Sequence, residues 1–300
     1  MQHPSGITNP GKLAADPVSN FMKAFTTTDA SLFLQNIQSA LEQDEAVNQP
    51  VLVRCRRLAE NGSVTDPALM AWTEDAQGVT SAAFFAPPDP MWLFCEPLPK
   101  EPSLRLLLNM LRDVPFKRVK GKTHVIDTFS LLTRQLFNCS ITRIARQYVW
   151  RITSAPNPPF VAGYMRKAAL PDADQLMDWM ESSRLEKPIS GSHQVHRQEV
   201  LAGIARGEYF VWEDGLIVAM GGRTLITRHG VALGELFTPP MLRNRGYATA
   251  LMGSLCQQAK LDGFIFCSVT SDPANSIANH VFQKLGFTII SEIDEIEVNS

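Results

Sequence analysis

The sequence has few of the features that mark disulfide-bonded, membrane-spanning or nucleic-acid-binding proteins. Its 300 residues include only 5 cysteines, an odd number with no Cys-x-x-Cys pair. This argues against a disulfide framework or a zinc ribbon and favours a reducing compartment. No apolar run approaches the about 18 residues that a transmembrane helix needs. The 28 Lys and Arg against 30 Asp and Glu give a net charge of −2, without the basic excess typical of nucleic-acid binders.

The amino-terminal segment also has no charged region followed by an apolar stretch. Met1–Asn20 is therefore not expected to act as a secretory signal. Pro4, Pro10 and Pro17 interrupt a polar stretch, so residues 1–19 are expected to be disordered or extended. These observations together predict a cytoplasmic protein with neither a membrane nor a nucleic acid as its partner.

The length and composition instead indicate a globular chain with two domains. Hydrophobic residues make up 45% of the sequence, and 300 residues exceed the usual limit of about 250 for a single core. Three prolines lie between Ser154 and Pro159, where neither a helix nor a strand can continue. We therefore expect one domain over residues 20–153 and a second over residues 160–300.

The second half reads as strands alternating with helices. The pair Asp214-Gly215 between two apolar runs predicts a hairpin. Five later segments are predicted as strand, helix, strand, helix and strand: Val231–Thr238, Gly246–Asp262, Phe264–Thr270, Ser276–Leu285 and Phe287–Val298. The first half is less regular. There we expect a strand at Val51–Arg56 and a solvated basic loop around Lys117–Lys122, which gives only slight support to an RNA-associated role.

The segment from Leu236 to Thr249 is the most informative part of the chain. A strand ends there, two prolines follow, and a short loop leads into a helix that begins near Gly246. The free N–H groups at a helix start bind anions, and Gly246 and Ala248 leave room for a phosphate close to the backbone. Arg243 and Arg245 add charged donors. This arrangement suits a pyrophosphate.

The pattern Arg243-x-x-Gly246-x-Ala248 between a strand and a helix resembles the acyl-CoA pyrophosphate loop of the GNAT superfamily of N-acyltransferases. Further downstream, the strand ending at Thr270, the helix that follows Asn275 and the exit Gly286-Phe287 resemble the rest of that family's core. The resemblance covers about residues 160–290. It implies an α/β (α+β) fold of GNAT type, with a mixed, mostly antiparallel sheet flanked by helices in two tandem domains.

The resemblance further implies an N-acetyltransferase that uses acetyl-CoA as co-substrate and needs no metal. The acceptor would be a primary amine of a small molecule or peptide, attacking directly while a backbone N–H on the strand ending at Thr238 stabilises the oxyanion. The residues expected to bind the co-substrate line both walls of its channel: Leu236, Phe237, Thr238, Arg243, Asn244, Arg245, Gly246, Tyr247, Ala248, Thr249, Asn275 and Phe282.

Two departures from the family pattern leave the catalytic residues unassigned. Phe282 stands where many members have a proton-donating tyrosine, although a thiol with a pKa near 8.5 leaves without much help. Ala232 stands about where members that use a glutamate base carry it. Glu235 lies on the same strand, but regular alternation puts it on the opposite face unless a bulge intervenes. An acyl-CoA-binding or regulatory protein with weak activity is therefore the alternative hypothesis.

The first half invites a structural hypothesis of its own. The segment from Met91 to Pro97, followed by a helix from Ser103, repeats the strand–proline–helix order of the second half without its glycine. We therefore expect residues 20–153 to be a degenerate GNAT-like copy that does not bind CoA. His193 and His196 have no third ligand at suitable spacing, so no metal site is predicted. The acceptor's identity and the oligomeric state are not indicated by the sequence.

Overall fold

The computed structural model describes residues 22–61, 68–95, 100–186 and 196–299 of the chain. The extended or disordered segment predicted for residues 1–19 lies outside the described residues, as does His193. The elements of the first half are β1 (Lys23–Thr27), α1 (Ala30–Glu42), α2 (Glu45–Asn61), β2 (Leu69–Asp75), β3 (Gly78–Phe85), β4 (Met91–Cys95), α3 (Glu101–Met110), β5 (Arg118–Lys122), α4 (Thr123–Phe137) and β6 (Ser140–Ile152). The elements of the second half are β7 (Tyr164–Lys167), α5 (Ala173–Glu186), α6 (Arg197–Ala205), β8 (Tyr209–Asp214), β9 (Leu216–Ile226), β10 (Gly230–Phe237), α7 (Tyr247–Leu261), β11 (Phe266–Ser271), α8 (Ser276–Leu285) and β12 (Thr288–Asn299).

The two halves repeat the same order of elements. Each runs through a strand, two helices, three strands, a helix, a strand, a helix and a last strand. The fold is thus two tandem α/β units, each with a mixed but mostly antiparallel set of strands flanked by helices, as the sequence predicts. The limits of residues 20–153 and 160–300 remain predictions.

The strands of both halves form one sheet in which the last strands are exchanged. The order is β1-β2-β3-β4-β5-β12-β6-β11-β10-β9-β8-β7. Strand β6 of the first half lies between β11 and β12, both of the second half, and is antiparallel to each. Strand β12 in turn lies between β5 and β6 of the first half. The last strand of each half therefore pairs only with strands of the other half.

Helices cover both faces of this sheet and enclose separate apolar clusters. One face carries α1 and α2 of the first half and α5 and α6 of the second, around cores that include Ile37 and Leu176. The other face carries α3 and α4, then α7 and α8, around cores that include Leu107 and Leu251. The open space between α2 and α5, on the first face, contains the cavity of the candidate site.

Two predictions for the first half were wrong. The apolar run expected as a strand at Val51–Arg56 belongs to the 17-residue helix α2, because Val47, Val51, Leu52 and Cys55 recur at helical spacing and are all buried. Pro50 lies inside this helix and removes one backbone donor. The basic segment expected as a solvated loop contains β5, an interior strand of the sheet between β4 and β12.

The proline-rich linker between the halves lies along α7. Gln257 donates a hydrogen bond to the carbonyl oxygen of Pro156 at 2.9 Å. A Cβ placed on Gly253 would come within 2.6 Å of Pro158, so the absence of a side chain on this helix lets the linker approach. The linker thereby reaches the amino-terminal end of α7, where the predicted anion site begins.

Candidate functional site

Strands β10 and β11 diverge at the predicted site. They are parallel and pair only from Gly230 to Ala232, opposite Phe266 to Ser268. Beyond these pairs β10 continues to Phe237 and β11 continues to Ser271. The edge of β10 that faces β11 is therefore open from Leu233 onward, and its backbone groups there can pair with an extended ligand as an added strand would.

The loop that follows β10 leads into α7 through two residues with left-handed backbone. After a single 3-10 turn at Pro240–Leu242, Asn244 and Gly246 adopt positive φ angles of 63° and 85°. Turns that contain left-handed residues can arrange successive N–H groups into an anion-binding concavity. Among the described residues, no oxygen accepts a hydrogen bond from the amides of residues 244–249; the first satisfied amide is that of Ala250, which bonds Gly246.

Thr238, at the carboxyl end of β10, provides a second unsatisfied polar group. Its side-chain hydroxyl is buried and has no hydrogen-bond partner within the described part of the chain. A buried hydroxyl without a partner costs free energy, and such orphaned groups mark places where a ligand or water completes the hydrogen bonding. This hydroxyl and the amides of residues 244–249 together fit a ligand with several polar oxygens.

The two arginines of the loop are held by protein partners. The Arg243 guanidinium donates to both carboxylate oxygens of Glu186, each at 2.7 Å, and to the carbonyl oxygen of Thr238 at 2.9 Å. Arg243 thus ties the loop to the end of α5. The side chain of Arg245 lies by the Tyr247 hydroxyl, which donates to Asp214 at 2.7 Å; this hydrogen bond raises the pKa of Tyr247, while Arg245 opposes the shift.

Gly246 is required by the protein itself as well as by the predicted ligand. Its φ of 85° is unfavourable for residues with a side chain, and an added Cβ would come within 2.9 Å of Val161 in the linker. The sequence pattern explains this glycine by the approach of a phosphate. The structure adds a second reason, since the linker packs against the same residue.

Helix α8, where the sequence predicts the opposite wall of the co-substrate channel, follows Asn275. The Asn275 side chain caps this helix, accepting from the amide of Ala278 at 3.1 Å. Phe282 is buried, 6.0 Å from the Trp150 ring and 5.8 Å from the Phe287 ring, and supplies no proton donor. Sequence reasoning did not single out Asn279, which accepts from the Ser271 hydroxyl at 2.6 Å and so joins α8 to the end of β11.

A bulge in β10 determines where Glu235 points. The pairing register between β10 and β9 shifts between Gly234 and Phe237, and Glu235 within this interval has a φ of 51°. Leu233 and Leu236, three residues apart, consequently pack into the same apolar cluster. Glu235 lines a cavity on the other face of the sheet. The bulge that the sequence left open is present, and Glu235 at this bulge lines the cavity on the face of the sheet opposite Leu233 and Leu236.

This cavity of about 590 Å³ has walls from both halves of the chain. Its lining includes α2 and β5 of the first half, and α5, β10 and β11 of the second. Polar side chains face it from several elements: Gln49, Lys120, Gln147, Ser183, Arg184, Thr224, Glu235, Ser268 and Thr270. Its volume is within the range of small-molecule sites. The part of the chain that the structure describes contains no cluster of His, Cys, Asp or Glu that could hold a metal ion.

Comparison with known proteins gives the family of the second half. The sequence model of the Acetyltransferase (GNAT) family matches residues 173–287. That segment contains the open edge of β10, the loop before α7 and the whole of α8. The second half of this chain therefore carries an acetyltransferase domain of the GNAT family. No curated protein gave a significant match to the chain.

Solved structures share the fold over nearly the whole chain. A GCN5-related N-acetyltransferase from Sphaerobacter thermophilus is 13% identical, with a TM-score of 0.60 over 92% of this chain and 94% of its own. A Drosophila protein is 9% identical, with a TM-score of 0.62 over 93% and 98%. A GNAT-family acetyltransferase from Colwellia psychrerythraea is 15% identical, with a TM-score of 0.55 over 93% and 100%. At these identities the likeness is one of fold.

No helix within the described residues is long and apolar enough to cross a membrane.

Proposed function

We propose that this chain transfers an acetyl group from acetyl-CoA directly to a primary amine of a small molecule or peptide. The observation that carries the proposal is the gap between β10 and β11. On one face of the sheet, it adjoins the unsatisfied amides of residues 244–249. On the other face, it adjoins the 590 Å³ cavity, which Leu233 to Glu235 line from one side and Ser268 to Thr270 from the other. Such a gap can bring two substrates together from opposite faces.

The co-substrate is held by groups that the protein leaves unsatisfied. The amides of residues 244–249 and the positive end of α7 bind the pyrophosphate. The backbone from Leu236 to Thr238 pairs with the amides of the pantetheine arm, and the orphaned hydroxyl of Thr238 gains a partner. Asn275 and Phe282 support the arm from α8. Arg243 contributes chiefly by shaping the loop, because it is already bound to Glu186.

The chemistry requires an oxyanion donor, a proton acceptor and a leaving thiolate. A backbone N–H on the open edge of β10 stabilises the negative charge that develops on the thioester oxygen. Glu235 accepts the proton of the attacking amine, directly or through water, because the bulge places it on the cavity side of the gap. The thiol pKa near 8.5 allows the leaving group to depart as thiolate without a hydroxyl at position 282.

An acyl-CoA-binding protein without useful turnover is the second candidate. The observation that favours it is Phe282, which fills a buried position between Trp150 and Phe287 and cannot protonate the thiolate. The two candidates share the co-substrate site and differ only in what happens beyond the gap.

Turnover with a panel of primary amines separates them. Purified protein is incubated with acetyl-CoA and each amine, and both free thiol and acetylated product are measured. We expect transfer, and we expect Glu235→Gln to lower kcat by about 100-fold while the Kd for CoA stays unchanged. Glu60→Gln, an exposed site near the end of α2, is the matched control. CoA binding without product from any amine would leave the binding-protein candidate, and an unchanged kcat in Glu235→Gln would remove the assigned base.

A further inference from the structure

Lys120 presents a cation to the cavity from the first half of the chain. It lies on β5, opposite Trp92 of β4, and both side chains line the cavity. Its ammonium donates to the Gln147 side-chain oxygen at 2.7 Å and lies 5.2 Å from the centre of the Trp92 ring. Among the described residues, no carboxylate oxygen lies within 4 Å of it. An ammonium has three N–H donors, so this one retains capacity for a further acceptor.

The surroundings of Lys120 leave its charge undercompensated. Burial lowers the pKa of Lys120 and outweighs Glu295, which acts in the opposite direction, while Arg118 adds to the lowering. Glu295 is itself bonded to Arg118 at 3.1 Å, so its charge is shared. A bound anion would compensate the ammonium at this position, as a carboxylate does in a charge-assisted hydrogen bond.

The other charged groups of the cavity are differently placed. The Arg184 guanidinium is paired with the carboxylate of Glu181, one turn earlier on α5, to which it donates two hydrogen bonds. Glu235 lines the cavity from the bulge in β10, the strand that borders the gap. The cavity thus offers one cation without an ion-pair partner in the described structure and, toward its other end, one carboxylate.

The sheet sets the separation between these two ends. Gln147, which holds the Lys120 ammonium, lies on β6, and β6 is the neighbour of β11. The ammonium is therefore about two strand spacings, or about 10 Å, from the gap between β11 and β10. The hydrogen bonds at the two ends of a ligand take up part of this distance. An extended dipeptide fills the rest, because two residues span about 7 Å.

We propose that the cavity binds a molecule with a primary amine at one end and a carboxylate at the other, about the length of a dipeptide apart. Lys120 binds the carboxylate, and the amine is placed at the gap beside Glu235. This inference rests on the proposed acetyl transfer and names its acceptor class. It gives the first half of the chain a role in acceptor recognition, since β5 supplies the cation and α2 supplies part of the wall.

The test is a series of glycine peptides with matched neutral partners: glycine, Gly-Gly and Gly-Gly-Gly, each compared with its carboxy-terminal amide. We expect Gly-Gly to be acetylated with a kcat/KM about 10-fold or more above that of its amide, because a hydrogen bond between charged groups is at stake. Glycine is too short to show this preference. Lys120→Met should abolish the preference, and Lys120→Arg should retain it. Lys117→Met, the same change at an exposed lysine outside the cavity, is the control.

Binding measurements separate this inference from the proposed transfer. Calorimetry with CoA-loaded protein gives the Kd of Gly-Gly and of its amide whether or not acetyl transfer occurs. A preference for the acid that is lost in Lys120→Met, without any product, would support the carboxylate site while refuting the transfer. Equal affinity for acid and amide, or a preference that persists in Lys120→Met while the Kd for CoA is unchanged, would overturn the carboxylate site.

Discussion

The hydroxyl of Thr238 can reveal whether the end of β10 is built for a ligand or only for packing. A buried hydroxyl without a partner destabilises the free protein, and it becomes useful only when a ligand supplies the missing acceptor or donor. For Thr238→Val we expect the free energy of unfolding to rise by about 1 kcal/mol and the affinity for CoA to fall by about 5- to 10-fold. Denaturant unfolding and calorimetric titration with CoA measure the two effects.

Thr133 supplies the matched control for this prediction. It is also buried, but its hydroxyl donates to the carbonyl oxygen of Phe129 at 2.7 Å. Thr133→Val should therefore lower stability by about 1 kcal/mol and leave CoA affinity alone. If Thr238→Val destabilised the protein and kept its affinity for CoA, this hydroxyl would have to be reassigned to a structural role.

Individual residues also show how far sequence reasoning could reach. The loop around Gly246 was predictable because its signal is local, with prolines, glycine and the first turn of a helix in one short stretch. The orientation of Glu235 was not predictable, because it depends on a bulge between β10 and β9. The pairing register that makes such a bulge is a property of two strands together. Lys120 was missed for the same reason. Its neighbours Lys117, Arg118 and Lys122 give the composition of a surface loop, whereas β5 lies between two other strands.

Helix α2 joins the first half to the second through two side chains one turn apart. Glu45 accepts hydrogen bonds from the His229 amide at 2.9 Å and from its ring nitrogen Nδ1 at 2.7 Å. Gln49 donates to the Thr227 hydroxyl at 3.2 Å and accepts from Ser268 on β11. These contacts fix α2 over the cavity. They also explain why the apolar run Val51-Leu52-Val53 is helical despite its two valines. The contacts that stabilise the buried face of this helix form only in the folded chain and outweigh local propensity.

The pairing of Glu45 predicts an acid sensitivity of this docking. Burial acts to raise the pKa of Glu45, but hydrogen bonds from Thr227 and His229 outweigh it and hold the pKa below its ordinary value of 4.5. A depressed pKa in the folded state stabilises the protein above the ordinary value, and that contribution is lost as the pH falls through the folded-state value. Stability should therefore decline as the pH is lowered below about 4.5.

The variant Glu45→Gln tests whether Glu45 causes this acid sensitivity. The free energy of unfolding is measured by denaturant titration between pH 3 and pH 7, for the parent and for this variant. We expect the variant to lose about 1–3 kcal/mol at pH 7 and to show a shallower decline toward acid, so that the two curves converge at low pH. Parallel curves would show that another carboxylate causes the acid dependence.

At the scale of the whole molecule, the exchange of last strands decides what can fold alone. The repeated order of elements could be expected in part from the sequence, because the strand–proline–helix order occurs twice. The exchange of last strands could not be expected, because no local feature of β6 or β12 indicates that it pairs with strands of the other half. Each of these strands lies between two strands of the other half, so neither half has a complete sheet without the other.

Separated halves should therefore fail to fold and should recover when combined. Fragments 1–153 and 154–300 divide the chain before the linker, which stays with α7. Alone, the first leaves β6 without any neighbour, and the second leaves the edge of β11 open to aggregation. We expect little native structure by circular dichroism from either fragment and restored CoA binding after co-expression. If fragment 154–300 alone bound CoA with the affinity of the whole chain, the second half would be a self-sufficient domain, and the exchanged strand β6 would serve only the acceptor cavity.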